Sequence, residues 1–188
     1  MQWLKRIFSS TRRITINNPL VIQAPRICFL NLMGPVAEKM LTEDKNSIGS
    51  LFTSIEYGNN HPSQCDVLMI YGNLDKEGHF TDRSDSLRDI IRESNAPIVI
   101  IASENTSESY IAAGKNTGCG KANLIMTMDR KGSNFQIFFS HLFGMMFEGK
   151  SMLMAWVELA PQNPNETHDN CPGTIFAAEV SHIKFKKA

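Results

Sequence analysis

Three short stretches of this 188-residue chain place glycine, small polar side chains and acids directly after apolar runs. They are Gly34-Pro35, Gly72-Asn73-Leu74-Asp75 and Ser103-Glu104-Asn105. In a parallel sheet the carboxyl ends of the strands are where ligands sit, so these are the places where chemistry is expected. Gly72, Asn73, Asp75, Ser103 and Glu104 are the candidate pocket residues. A serine hydroxyl such as that of Ser103 is a weak nucleophile unless a base takes its proton. Asp75, Glu77 and Asp82, with Glu104 and Glu108, could bind a basic peptide side chain or form a solvated rim.

A second constellation is His79 with Cys119. Gly118 and Gly120 would expose the thiol, and an imidazole beside it would make it nucleophilic. The plainer reading is a loop histidine and an incidental turn cysteine. His168, Asp169 and Cys171 match no zinc-ligand spacing, so no metal is expected. Gly114-Lys115-Asn116-Thr117-Gly118-Cys119-Gly120-Lys121 could nest an anion on its backbone amides. It lacks the order of a Walker A loop, and no GxGxxG follows the first strand, so no cofactor is expected. Nucleotide handling stays open as an alternative.

The elements that must position these residues are legible as alternation. Ile27 to Met33, Val67 to Tyr71, Ile98 to Ala102 and Leu124 to Met128 are continuous apolar runs, the mark of strands buried on both faces. Leu51 to Tyr57 alternates and fits a half-exposed strand. Leu20-Val21-Ile22 and Ile14-Thr15-Ile16 read as short strands around an Asn-Asn-Pro turn. A helix capped by Ser84 or Asp85 runs to Ser94, with Leu87, Ile90 and Ile91 on one face. Ser107 to Ala113 fits a short helix. Phe135, Phe138, Phe139, Leu142, Phe143, Met146 and Phe147 follow helical spacing after a cap at Ser133, and His141 falls just off that stripe. A further helix starts at Ser151 and buries Leu153, Trp156 and Leu159. Thr174 to Ala178 and His182 to Phe185 read as a last strand pair. Strands alternating with helices give an α/β fold, a three-layer sandwich around a mostly parallel sheet.

Composition bounds the class. With 42% hydrophobic residues the chain has material for a core, and wholesale disorder is excluded. Nineteen basic residues balance nineteen acidic ones, which argues against a dedicated nucleic-acid binder. Four cysteines (Cys28, Cys65, Cys119, Cys171) without a CxxC, and no secretory signal, fit free thiols in a cytoplasmic setting. The charge is uneven, however. Lys5, Arg6, Arg12, Arg13 and Arg26 all precede the first acid, Glu38, so residues 1–25 read as a basic extension to a domain spanning 26–188. Such a segment could touch a membrane surface or an acidic partner, or simply pack on the domain.

Residues 65–73 resemble the third strand of the caspase-like CHAT domains, bacterial relatives of the caspases and separase. Ala96 to Glu104 resembles that family's fourth strand, and Asn123 to Met128 its small-subunit strand. The Phe-rich helix, the turn Glu148-Gly149-Lys150-Ser151 and the helix with Ala155-Trp156 resemble its closing pattern. The likeness spans about residues 26–186. It implies a catalytic histidine after the third strand and a nucleophilic cysteine after the fourth. This chain has Asn73 and Ser103 at those positions. The resemblance therefore implies a pseudo-peptidase, a caspase-like fold kept as a protein-binding or regulatory module in a bacterial multi-protein system. The enzyme alternative is a peptidase with the relocated pair His79 and Cys119.

Overall fold

The computed structural model describes residues 20–81, 83–106, 108–109, 123–130, 133–160, 173–177 and 182–188. Its strands are β1 (Val21–Gln23), β2 (Arg26–Asn31), β3 (Ser54–Gly58), β4 (Val67–Tyr71), β5 (Ile98–Ile101), β6 (Asn123–Asp129), β7 (Gly173–Ala177) and β8 (Lys184–Lys186). The helices are α1 (Glu38–Ser47), α2 (Leu87–Ser94), α3 (Asn134–Phe147) and α4 (Met152–Leu159).

Six strands form one sheet in the order β3-β2-β4-β5-β6-β7. The first five in that order are parallel, and β7 closes the edge antiparallel to β6. Helices cover both faces, as a parallel sheet requires. Alternation along each strand assigns the sides. Ile27 and Phe29, Val67, Met69 and Tyr71, and Ile98 and Ile100 face a core shared with α3. Cys28, Leu30, Leu68, Ile70, Val99 and Ile101 face the other core, built with Leu87, Ile90 and Ile91 of α2. The protein is thus a three-layer α/β sandwich. A separate two-stranded sheet pairs β1 with β8 in parallel and docks Ile22 and Phe185 against the α3 side.

The expected buried strands are all present, within a residue or two at their ends. Helix α1 occupies a span whose sequence carries no helical apolar stripe. Its buried residue is an acid, Asp44, so the stripe that marks an amphipathic helix is broken where it matters. The alternating strand begins at Ser54, because Gly49–Leu51 forms a 3-10 turn. Helix α2 is capped by Ser86 rather than Ser84 or Asp85. The Ser86 and Asp89 side chains each accept from the other's backbone N–H, a capping box. Asn95, in the left-handed region at φ 53°, ends that helix two residues before Pro97. Ser133 makes no side-chain cap on α3, its backbone being already helical. On α4 Met152 and Ala155 are the fully buried residues, while the expected Trp156 and Leu159 pack half-buried against the same core. The last two strands are not a pair: β7 joins the main sheet and β8 joins β1. The expected strand at 14–16 lies outside the described residues, as does most of the expected helix at 107–113.

Candidate functional site

Strand order places a topological switch point between β2 and β4. The chain leaves β2 toward β3 on one side, and the later strands build outward on the other. Loops diverge there, so the carboxyl ends of β2 and β4 open a crevice. A cleft of about 490 Å³ occupies it, walled by Leu32, Met33 and Val36 after β2 and by Gly72, Asn73, Phe80, Thr81 and Arg83 after β4.

Each wall is built locally. After β2 the Asn31 side chain bridges the turn, donating to Gly34 O at 2.9 Å and accepting from Met33 N at 3.0 Å. Gly34 takes φ 61°, a conformation that costs glycine little. Val36 is left 74% exposed at the rim. After β4 the chain folds back as a hairpin-like loop. Leu74 bridges Phe80, and Thr81 donates both its N–H and its hydroxyl to Asn73 O. Gly72 is required there, because a Cβ on it would meet the Phe80 ring at 2.6 Å. Asp75 stabilises the tip, accepting from Glu77 N and His79 N at 2.9 Å each. Those backbone donors, His79 N first, hold its carboxyl below the usual aspartate range.

Ser103 follows β5 and is 2% exposed. Its hydroxyl donates to Gly72 O at 2.6 Å and accepts from Gly72 N at 3.0 Å, which ties the ends of β4 and β5 together. Asn105 extends the clamp, accepting from Leu74 N at 2.9 Å and donating to Ser103 O at 2.8 Å. Ser109 Oγ donates to Leu74 O at 2.9 Å. Both hydrogen-bonding directions of the Ser103 hydroxyl are spent on backbone.

The candidate residues therefore separate. Gly72 and Asn73 line the cleft, with Asn73 exposed. Ser103 lies beneath it, buried. Asp75 is at the loop tip, and Glu104 is an exposed carboxylate that accepts from Arg130 N at 3.2 Å. His79 is half-exposed, with Nδ1 3.8 Å from Asp75 Oδ2. Cys119, the Gly114–Lys121 loop and His168-Asp169-Cys171 lie outside the described residues. His61 faces Glu93 at 3.3 Å and His141 is exposed. Among the described residues, the one cation lining the cleft, Arg83, is engaged by Asp85 and Asn60.

Sequence reasoning missed the most polar feature of this end of the sheet. Asp44, fully buried on α1, accepts from Tyr71 Oη at 2.6 Å and from Arg130 Nη2 at 2.6 Å. Arg130 also donates from Nη1 to Ala102 O at 2.8 Å and lies over the Phe135 ring at 3.9 Å. Burial pushes the Asp44 carboxyl above its ordinary range, with Arg130 and Tyr71 pulling against it. Burial likewise raises the Tyr71 phenol, reinforced by the Asp44 charge. The network ties α1 and the ends of β4, β5 and β6 into one block. The only sequence signal was an acid where a helix should have been apolar.

Compared with known proteins, the chain matches no family model and no curated protein. Among the described residues, no helix is long and apolar enough to cross a membrane.

Proposed function

We propose that this protein is a non-catalytic binding module, a degenerate caspase-like domain of the CHAT type that works with protein partners in a bacterial, cytoplasmic multi-protein system. The observation that carries this reading is the state of Ser103. It stands where the resemblance puts a nucleophile, yet its hydroxyl is buried and bonded twice to Gly72. Asn73, at the position of the general base, cannot accept a proton from it. Among the described residues, what lines the strand-end cleft is an exposed amide, apolar side chains and one arginine, Arg83, that is engaged by Asp85 and Asn60. That lining suits a neutral or peptidic segment better than a phosphate.

The test has two arms. In the first, the protein is used as bait in an extract of its native host alongside a variant whose cleft is blocked by Val36→Arg and Thr81→Arg. Partners captured by the wild type and lost from the variant support a cleft-centred binding role. In the second, Asn73→His with Ser103→Cys restores the inferred dyad. A thiol that reacts with iodoacetamide near neutral pH only when both changes are present supports the caspase-like alignment. Peptide cleavage by the unmodified protein, abolished by alkylating Cys119, would overturn the non-catalytic reading in favour of the His79–Cys119 pair.

A further inference from the structure

Cys28 and Cys65 meet in the core that the sheet shares with α2. Cys28 lies on β2 and is fully buried, and Cys65, 4% exposed, stands two residues before β4. Both are free thiols. They are hydrogen-bonded to each other, and Ser63 N–H donates to the Cys28 sulfur as well. The loop between β3 and β4 brings them together. Asp66 N donates to Arg26 O at 3.0 Å and Arg26 N to Asp66 Oδ2 at 2.8 Å, which joins the starts of β2 and β4. Just before that junction the loop turns over the α2 side of β2 and sets Ser63 and Cys65 on Cys28.

A single buried cysteine would be a small apolar filler. Two in contact polarise each other. The bond from Cys65, helped by Ser63 N–H, lowers the Cys28 thiol although burial opposes it. The same bond, with burial, raises Cys65. One sulfur is thus inclined to be the nucleophile and the other to keep its proton. Their cover is a surface loop in which Asn59, Asn60, His61 and Gln64 are exposed. It is held by Arg83 on Asn60, by Glu93 facing His61 and by Cys65 N, which donates to Ser94 O at 3.4 Å. Bonds at the surface open locally, without unfolding of the whole domain.

We propose that Cys28 and Cys65 are a redox pair that a peroxide closes, reversibly, to a disulfide in the folded protein. Loop opening admits the small, uncharged oxidant. The Cys28 sulfur attacks one peroxide oxygen and the O–O bond breaks, giving a sulfenic acid, while the departing hydroxide takes the Cys28 proton and leaves as water. Cys65 then attacks the Cys28 sulfur. The S–O bond breaks, and the second hydroxide takes the Cys65 proton. Two thiols and one peroxide give one disulfide and two waters, the sulfurs oxidised and the peroxide oxygens reduced. Cys65 lies on a loop, so the backbone adjustment that disulfide geometry demands falls there and leaves the sheet in place. In a reducing compartment such a bond is transient, a redox signal rather than a structural staple. This inference does not depend on the strand-end cleft or on the non-catalytic reading.

The experiment treats the fully reduced chain with hydrogen peroxide without denaturant, blocks the remaining thiols by alkylation, and maps its peptides by mass spectrometry without reduction. The expected product is a cross-linked peptide joining Cys28 to Cys65, lighter than its two parts by two hydrogens. Dithiothreitol should abolish it and return the chain to its starting melting temperature. In Cys65→Ser the oxidation should stop at the Cys28 sulfenic acid, captured by dimedone several-fold more than in the wild type. Should that variant fail to fold, the wild-type map alone decides. Cys28 and Cys65 still fully alkylated after Cys119 or Cys171 has been oxidised would overturn the proposal. So would a cross-link that forms only in urea, a bond from Cys28 to Cys119 or Cys171 instead, or equal dimedone capture in the wild type and a folded Cys65→Ser.

Discussion

Asp44, Tyr71 and Arg130 form a buried charged group whose worth is decided by what is left when one member goes. Two ions taken out of water attract strongly but give up hydration, so such a pair contributes little over a well-packed apolar replacement. Removing one partner is another matter, because the other stays buried. Arg130→Met should cost about 3–5 kcal/mol near neutral pH. The pH dependence follows from the direction of the Asp44 shift. Its folded pKa is raised, so the stability linked to its proton is complete below the ordinary aspartate value of 3.8 and is lost as pH rises through the folded value. Without Arg130 that folded value rises further. Urea unfolding at several pH values should therefore show the gap between wild type and Arg130→Met widening from acid toward neutral pH. A gap that is the same at every pH would mean that the arginine acts by packing alone. At Ser103 the expected effect is smaller and purely structural. Ser103→Ala leaves Gly72 N–H and C=O without their partner and should cost about 1–3 kcal/mol in a denaturant melt. On the proposed non-catalytic reading, no peptide hydrolysis is present to be lost.

Elements are held by caps at their ends and by packing along their length. Ser86 and Asp89 form the capping box of α2, and hydrogen bonds from Ser86 hold the Asp89 carboxyl below its ordinary range. Ser86→Ala should cost about 1 kcal/mol, read as a lower urea midpoint at unchanged slope. Packing weighs more on α3. Phe139 and Phe143 are fully buried; Phe143 meets Phe52 edge-on at 5.3 Å, and Phe139 meets Phe138 edge-on at 5.2 Å. Phe139→Ala or Phe143→Ala should each lose about 3–5 kcal/mol in urea melts, because the cavity cannot close against a rigid sheet. A loss under about 1 kcal/mol would mean that the neighbouring side chains collapse to fill the space.

At the scale of the molecule, two poles do different work. The carboxyl ends of the strands carry the clamp, the buried ion pair and the cleft. The amino ends carry the β1–β8 ribbon, which ties residues 21–23 to residues 184–186 across a long span of chain. Only one face of that ribbon is structural. Ile22 packs partly on the core while its neighbour Val21 faces outward, so Ile22→Ala should cost about 1 kcal/mol. Val21→Ala should change stability by less than about 0.5 kcal/mol. Thermal melts of the two variants side by side check which face of the ribbon packs on the domain.

The apolar runs of the chain suffice to specify the class of fold and, within a residue or two, the ends of its strands. Val67 to Tyr71 and Ile98 to Ile101 could be read because a strand buried on both faces must be apolar throughout, a local property. The rule that ligands gather at such strand ends then pointed to Gly72 and Asn73 without any coordinates. Other features are set by residues distant in the chain. Nothing local shows that Ser103 spends its hydroxyl on Gly72, 31 positions earlier. The pairing of Arg130 with Asp44, 86 positions apart, is equally hidden, and it concealed α1 because the helix buries a charge rather than an apolar side chain. The partner of a short strand is likewise not written within it. Lys184–Lys186 pairs with Val21–Gln23 rather than with β7, since pairing is settled by which edges and cores the rest of the chain leaves open.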